Sequence, residues 1–158
     1  MPESTPARID GDAPVLARHE VAIQAPVETI WQLHIAVNEW PAWQPDITEA
    51  RLDEDFAPGA SFGWTNSGLS VTSTIYDVSP PTGDVSPQAR TLWGGTGQGI
   101  TGIHEWTFRD MTQGVIVATN ESFAGAPVDG DPSTMQDILD TSLVSWLLHL
   151  KVAAESRA

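Results

Sequence analysis

The chain has 158 residues, which fits one domain with a buried core, and 41% of them are hydrophobic. Seven Lys and Arg residues face twenty-one Asp and Glu residues, giving a net charge of −14. This charge argues against nucleic acid or an anionic membrane as a partner, because both require a basic surface. The absence of cysteine excludes disulfides and thiol chemistry. No apolar run has the length of a membrane span and no secretory signal is visible, so we expect a cytoplasmic monomer or homodimer.

The first elements are predicted from proline positions and from alternation. Residues 1–16 are rich in Pro, Asp and small side chains, and we expect a loose leader there. Residues 17–24 alternate apolar and polar side chains, as a half-buried strand does. A proline opens a helix predicted over 26–37, and Pro41 and Pro45 limit the following segment to a short helical turn.

Six further strands are indicated by short alternating runs that turn residues separate. They are predicted at 47–54, 60–66, 69–78, 89–95, 100–108 and 115–123. A Pro-rich loop is predicted at 79–88. The chain shows no internal repeat, so we expect one domain over 17–156.

The last element is a long amphipathic helix at 131–155. Asp131 can accept hydrogen bonds from the first turn, and Pro132 suits the first helical position. The apolar residues recur at helical spacing: Met135, Ile138, Leu139, Leu143, Trp146, Leu147, Leu150 and Ala153. Because such a helix cannot bury this face alone, an α+β fold is predicted, with an antiparallel sheet curved around the helix.

Several stretches resemble a known superfamily. The run APVETIWQLHIAVNEWPAWQPDI is similar to the opening signature of the START/birch-pollen-allergen (SRPBCC) superfamily. The runs FGWTN, TLWGGTGQGITGIHEWTF, NESFAG and SWLLHLKVAAE resemble its polyketide cyclase/dehydrase-like branch. The resemblance implies a helix-grip fold, in which a seven-stranded antiparallel sheet grips the C-terminal helix around a cavity. It also implies two short helices between the first two strands.

Strand parity directs two chemically active side chains inward. In ITGIHEWTF, His104 shares a face with the bulky Trp106 and Phe108, so that face is predicted to point inward. In VIVATNESF, Glu121 shares a face with Phe123, again predicted to be the inner one.

The pairing of these two strands has two possible registers. In one, His104 opposes Thr119 and lies diagonal to Glu121; in the other, shifted by two residues, His104 opposes Glu121 directly. We predict an acid/base pair in which the carboxylate orients the imidazole and raises its basicity. The alternative is a buried hydrogen-bonded pair that only satisfies itself.

The predicted ligand-binding residues share an inward or cavity-edge position. They are Trp64, Trp93, Trp106, Thr119, His34, Trp146 and His149. Trp64, Trp93 and Trp106 would form a flat aromatic wall. His34 could cap the cavity entrance or be a half-buried helix residue. His149 could face the cavity or lie at the edge of the apolar stripe.

No spacing of histidines or acids indicates a metal site, and neither metal nor cofactor is predicted. The run at 97–102, GQGITG, matches G-x-G-x-x-G, but a strand follows it where a nucleotide site requires a helix. We therefore interpret Gly94, Gly95, Gly97 and Gly99 as a flexible loop between strands, at the mouth of the cavity.

The resemblance and the inward pair together predict an enzyme similar to polyketide cyclases and dehydratases. It would act on a hydrophobic, carbonyl-bearing small molecule, with His104 as general base or acid and Glu121 as its partner. The alternative is a carrier or sequestering protein that uses the same cavity without turnover. A chaperone-activating module would instead need a large exposed apolar patch.

Overall fold

The computed structural model describes residues 5–81 and 88–157. The strands in these segments are β1 Val15–Ile23, β2 Ile47–Arg51, β3 Ser61–Asn66, β4 Leu69–Ser79, β5 Gln88–Gly97, β6 Ile100–Met111 and β7 Gly114–Ala124. The helices are α1 Val27–Ile35, α2 Trp40–Trp43, α3 Ala126–Gly130 and α4 Pro132–Glu155, with a 3-10 turn at Val37–Glu39. The first four residues of the predicted leader and most of the predicted loop at 79–88 lie outside the described residues.

The strands form one antiparallel sheet in the order β1-β7-β6-β5-β4-β3-β2. The sheet curls around α4, and the short helices α1 and α2 lie between β1 and β2, so the predicted helix-grip architecture is confirmed. None of the helices in the described segments combines the length and apolarity needed to cross a bilayer.

Helix α4 begins where its capping residues predict. The carboxylate of Asp131 accepts a hydrogen bond from the Thr134 N–H at 3.2 Å, which satisfies one donor of the first turn. The inner face is buried along Leu139, Leu143, Trp146, Leu147 and Leu150. Ile138, predicted on that face, is instead 52% exposed, because it lies at the edge of the stripe.

Polar contacts attach α4 to the edge strand β1. The His19 ring lies 2.8 Å from the Asp140 carboxylate, and the Lys151 ammonium donates to the carbonyl of Ala22 at 2.9 Å. Strand β1 begins at Val15, two residues before the predicted start, because Val15 is itself fully buried.

The glycine-rich segment differs from its prediction. Strand β5 continues through Gly97, and only Gln98 and Gly99 form the turn to β6. Both have positive φ, 52° and 83°, as a tight two-residue hairpin turn requires. The expectation of a flexible glycine loop was wrong, because Gly94, Gly95 and Gly97 are paired within the sheet.

The β5–β6 hairpin carries a gradient of side-chain size on its inner face. From the strand ends toward the turn, the inner cross-strand pairs are Ala89 with Phe108, Thr91 with Trp106, Trp93 with His104, Gly95 with Gly102, and Gly97 with Ile100. Large side chains therefore fill the space under α4 at one end, and the two glycine-containing pairs leave it open near the turn.

Candidate functional site

A cavity of about 660 Å³ lies between the inner face of the sheet and the N-terminal half of α4. Its lining is mostly apolar. The sheet contributes Trp64, Val71, Trp93, Gly95, Gly97, Ile100, Gly102 and Phe123, and α4 contributes Met135, Ile138, Leu139 and Trp146. A volume of this size accommodates a small organic molecule.

Tryptophans form one wall of the cavity, and Trp64 and Trp93 are among its lining residues. The Trp64 indole N–H donates to the Ser73 hydroxyl at 3.0 Å, which fixes the ring across β3 and β4. The rings of Trp64 and Trp146 lie 5.6 Å apart, so α4 extends the wall begun by the sheet. Trp106 does not line the cavity; it is fully buried behind this wall.

His104 and Glu121 lie directly opposite each other on β6 and β7. This is the second of the two registers considered from the sequence. The His104 Nδ1 and the Glu121 Oε1 are 3.4 Å apart. The side chains are 2% and 12% exposed, and both line the cavity. Glu121 thus has more accessible surface than His104.

The other side of the His104 ring is held by a hydrogen bond. Its Nε2 lies 2.6 Å from the Thr119 hydroxyl, and that hydroxyl donates to the backbone carbonyl of Glu105 at 3.1 Å. Thr119, predicted to bind ligand, is completely buried and does not line the cavity. Its contact with the site passes through the imidazole.

Burial determines the protonation of the pair. It lowers the pKa of His104 to about 3 and raises the pKa of Glu121 to about 8, because a low-polarity interior disfavours both charged forms. At neutral pH the imidazole is therefore neutral and the carboxyl group is protonated. This shift runs opposite to the expectation that Glu121 raises the basicity of His104, because burial disfavours the charged imidazole.

His34 and His149 occupy positions outside the cavity lining. His34 is buried, stacks on Trp93 with ring centroids 5.2 Å apart, and bonds the Thr91 hydroxyl through Nε2 at 2.8 Å. Burial, and then the nearby His104, lower its pKa. His149 donates from Nδ1 to the Ser145 carbonyl at 2.8 Å and lies in a shallow groove on the outer side of α4. Neither histidine lines the cavity.

Sequence reasoning missed several residues that define the site. Gly95 and Gly102 are cavity residues because they lie on the inner face of their strands. A Cβ added at Gly102 would lie 3.2 Å from the Glu121 Oε2, so this glycine leaves room beside the carboxyl group. Gly102 lies in the strand predicted at 100–108, and parity from His104 places it inward, but a residue without a side chain was not considered part of a site.

The charges around the cavity are all acidic in the described segments. Asp46 and Asp137 line it together with Glu121, and no Lys or Arg of residues 5–81 or 88–157 does so. Within the same segments, no three His, Asp or Glu side chains are grouped closely enough to hold a metal ion.

At the sequence level, no family model and no curated protein matches the chain. Solved structures do match. A hypothetical protein from Helicobacter pylori has a TM-score of 0.79 at 15% identity, over 97% of this chain and 99% of that one. A START superfamily protein from Mycobacterium smegmatis has a TM-score of 0.72 at 12% identity, over 90% of this chain and 99% of that one.

A third match is a protein with two domains. The di-domain ARO/CYC StfQ from the steffimycin biosynthetic pathway has a TM-score of 0.71 at 13% identity, over 90% of this chain and 51% of StfQ. The chain thus spans about half of StfQ. Identities this low establish the fold and not the activity. The chain has the helix-grip fold of the START/SRPBCC superfamily.

Proposed function

We propose that this protein is a cofactor-independent enzyme of the cyclase or dehydratase kind, acting on a hydrophobic, carbonyl-bearing small molecule in the cavity. One observation carries the proposal. The Glu121 carboxyl group opens into an apolar cavity, and burial raises its pKa to about 8, so it is a protonated acid at neutral pH. The similarity of the fold to StfQ supports this class of chemistry.

A protonated carboxyl group can give a proton with one oxygen and take one with the other. In a dehydration, the Glu121 O–H would protonate the departing hydroxyl group, and the resulting carboxylate would remove the proton from the carbon beside the carbonyl. The products are an alkene and water, and Glu121 regains its proton. In a ring closure between two carbonyl groups, the same oxygens would protonate the electrophilic carbonyl and deprotonate the nucleophilic carbon.

The geometry favours Glu121, rather than His104, as the group that exchanges protons with the substrate. The Nδ1 of His104 is buried and has no accessible surface for a ligand, whereas Glu121 keeps 12% of its side-chain surface exposed. Glu121 is therefore the catalytic residue, and His104 is a positioning residue that acts on it.

The ligand is not expected to be an anion. Asp46 and Asp137 lie on the cavity lining without a cation in the described segments, so a carboxylate or phosphate group would be repelled and would lose its hydration. A neutral, largely aromatic or polyketone molecule would meet apolar walls and the carboxyl donor of Glu121. A cytoplasmic location, as a monomer or homodimer, stays a prediction from the sequence.

The test uses small molecules extracted from cells of the source organism that lack the protein. Masses in the extract are followed over time with the wild type, with Glu121→Gln and with Glu20→Gln, which removes one exposed carboxylate from β1 as a matched control. We expect the wild type and the control to convert one compound, for example with loss of water. Glu121→Gln should convert it about 10²–10⁴-fold more slowly.

Two outcomes would contradict the proposal. Glu121→Gln could convert the compound as fast as the wild type, which would remove the carboxyl group from the mechanism. Alternatively, a compound could be retained by all three proteins and never changed, which would make the protein a carrier.

A further inference from the structure

The hydrogen bonds around Thr119 have only one consistent direction. A carbonyl oxygen cannot donate, so the hydrogen between the Thr119 hydroxyl and the Glu105 carbonyl, 3.1 Å apart, belongs to the hydroxyl. The hydroxyl has no second hydrogen. In its 2.6 Å contact with His104 Nε2, it must therefore accept.

This direction determines where the proton of the neutral imidazole lies. If Nε2 carries the hydrogen, Nδ1 is a bare lone pair, and it is Nδ1 that faces the Glu121 Oε1 at 3.4 Å. A lone pair in that position can accept from a protonated carboxyl group and repels a carboxylate. The opposite tautomer, with hydrogen on Nδ1, would donate to the carboxylate and stabilise its charge.

We propose that Thr119 is a positioning residue that fixes His104 in the Nε2–H tautomer and thereby keeps the proton on Glu121. The proposal rests on the proposed role of Glu121, because a proton held there matters to the reaction only if Glu121 is the acid. Thr119 is fully buried and does not line the cavity, so it acts on Glu121 only through the imidazole.

Among the ionisable groups around Glu121, His104 is the one in direct contact with it within the described segments. On β1 its cross-strand neighbour is the uncharged Ala17. Asp137 on α4 and Asp46 before β2 line the same cavity. Behind His104, on α1, lies His34, whose pKa is lowered by burial.

A closely matched pair elsewhere in the core supplies the control. Thr91 lies on strand β5, and its hydroxyl is 2.8 Å from the Nε2 of His34 on helix α1. Both side chains are buried. Both threonines are cross-strand partners of Trp106 on β6: Thr91 pairs with it from β5 and Thr119 from β7. A Thr91→Val change removes the same kind of bond without touching His104 or Glu121.

The experiment is nuclear magnetic resonance of protein labelled with ¹⁵N in histidine and ¹³C in the glutamate carboxyl groups. Long-range ¹H–¹⁵N correlations identify the tautomer, and His104→Asn and Glu121→Gln assign the two signals. In the wild type at neutral pH we expect hydrogen on Nε2. In Thr119→Val we expect hydrogen on Nδ1, and a titration midpoint of Glu121 lower by about one pH unit or more. Thr119→Ser should restore both wild-type values, and Thr91→Val should leave both unchanged.

A wild-type spectrum with hydrogen on Nδ1 would overturn the proposal without any variant, so it can be tested even if Thr119→Val does not fold. An unchanged Glu121 midpoint in a folded Thr119→Val protein would also overturn it. These measurements need no substrate. If they agree with the proposal while no compound is converted, the positioning role stands and the proposed enzymatic function fails.

Discussion

The space between the sheet and α4 is filled by side chains at one end and left open at the other. At the packed end, Phe108 and Trp106 fill the interior together with the apolar side chains of the C-terminal half of α4, and Trp106 lies 5.3 Å from Trp146. At the open end, Gly95 and Gly102 occupy the equivalent inner positions of the same hairpin, and the space is a cavity. Trp93 and His104 form the boundary.

This difference shows that the cavity is confined to one end of the β5–β6 hairpin, while the rest of the core is closely packed. A sheet whose inner positions were all as large as those at the packed end would close completely on α4. The buried side chains that stabilise the fold lie at one end of the hairpin, and the space for a ligand lies at the other. Substitutions at the two ends should therefore separate these properties.

The largest expected effect is on stability at the packed end. Trp106→Ala should lower the free energy of unfolding by about 3–5 kcal/mol, because it removes a fully buried ring and leaves a void among other rings. Phe123→Ala, at the open end, should cost about 1–2 kcal/mol, because that ring already faces empty space. Denaturant unfolding measures both. Equal losses would mean that the two ends do not differ in packing.

The next effect is a pH dependence that originates at the open end. The pKa of Glu121 is raised from 4.5 to about 8 by burial, so between these values the folded protein keeps a proton that the unfolded chain has lost. Stability from this group is present below pH 4.5 and falls as the pH rises, by at most about 1.4 kcal/mol per pH unit. Unfolding of the wild type and of Glu121→Gln should be compared from pH 5 to about 8.

The expected result is that Glu121→Gln gains stability relative to the wild type as the pH rises through this window. A constant difference between the two proteins would show that Glu121 titrates normally. At acidic pH, the contribution of His104 to stability changes with pH in the opposite direction. Its pKa is lowered from 6.5 to about 3, so its contribution is lost as the pH falls below 6.5.

The smallest effect on stability is expected at the glycine of the open end. Gly102→Ala should change the free energy of unfolding by no more than about 1 kcal/mol. Alanine restricts the backbone of the unfolded chain, which stabilises the fold, and this offsets part of the crowding around the new methyl group. The added methyl group would lie 3.2 Å from the Glu121 Oε2 and should displace the carboxyl group. Conversion of the substrate should then slow by at least about tenfold. Unchanged turnover would mean that this space is not where the reacting group lies.

Much of the fold could be predicted from local patterns. Asp131 and Pro132 mark the start of α4, and its spacing of apolar residues identifies the buried face. Alternation correctly directed both His104 and Glu121 inward, because the two faces of a strand follow from backbone geometry alone.

The remaining features depend on contacts between distant parts of the chain. Parity allowed two registers for β6 and β7, and only the whole sheet selects the one that sets His104 opposite Glu121. The direction of the His104 pKa shift follows from how completely the surrounding rings exclude water, which no stretch of sequence reveals. Glycines such as Gly95 indicate loops in a local pattern, yet here they pair within a strand and form a cavity wall.

The tryptophans that separate the two ends also have an optical consequence. The rings of Trp93 and Trp106 lie 6.3 Å apart and nearly parallel, at 27°, while Trp40 and Trp146 lie 5.3 Å apart at 77°. Indole transitions at such distances couple, and their fixed handedness gives strong bands in near-ultraviolet circular dichroism. Because Trp93 and Trp146 also line the cavity, the molecule contains a chromophore that reports on the occupancy of the cavity without any added dye.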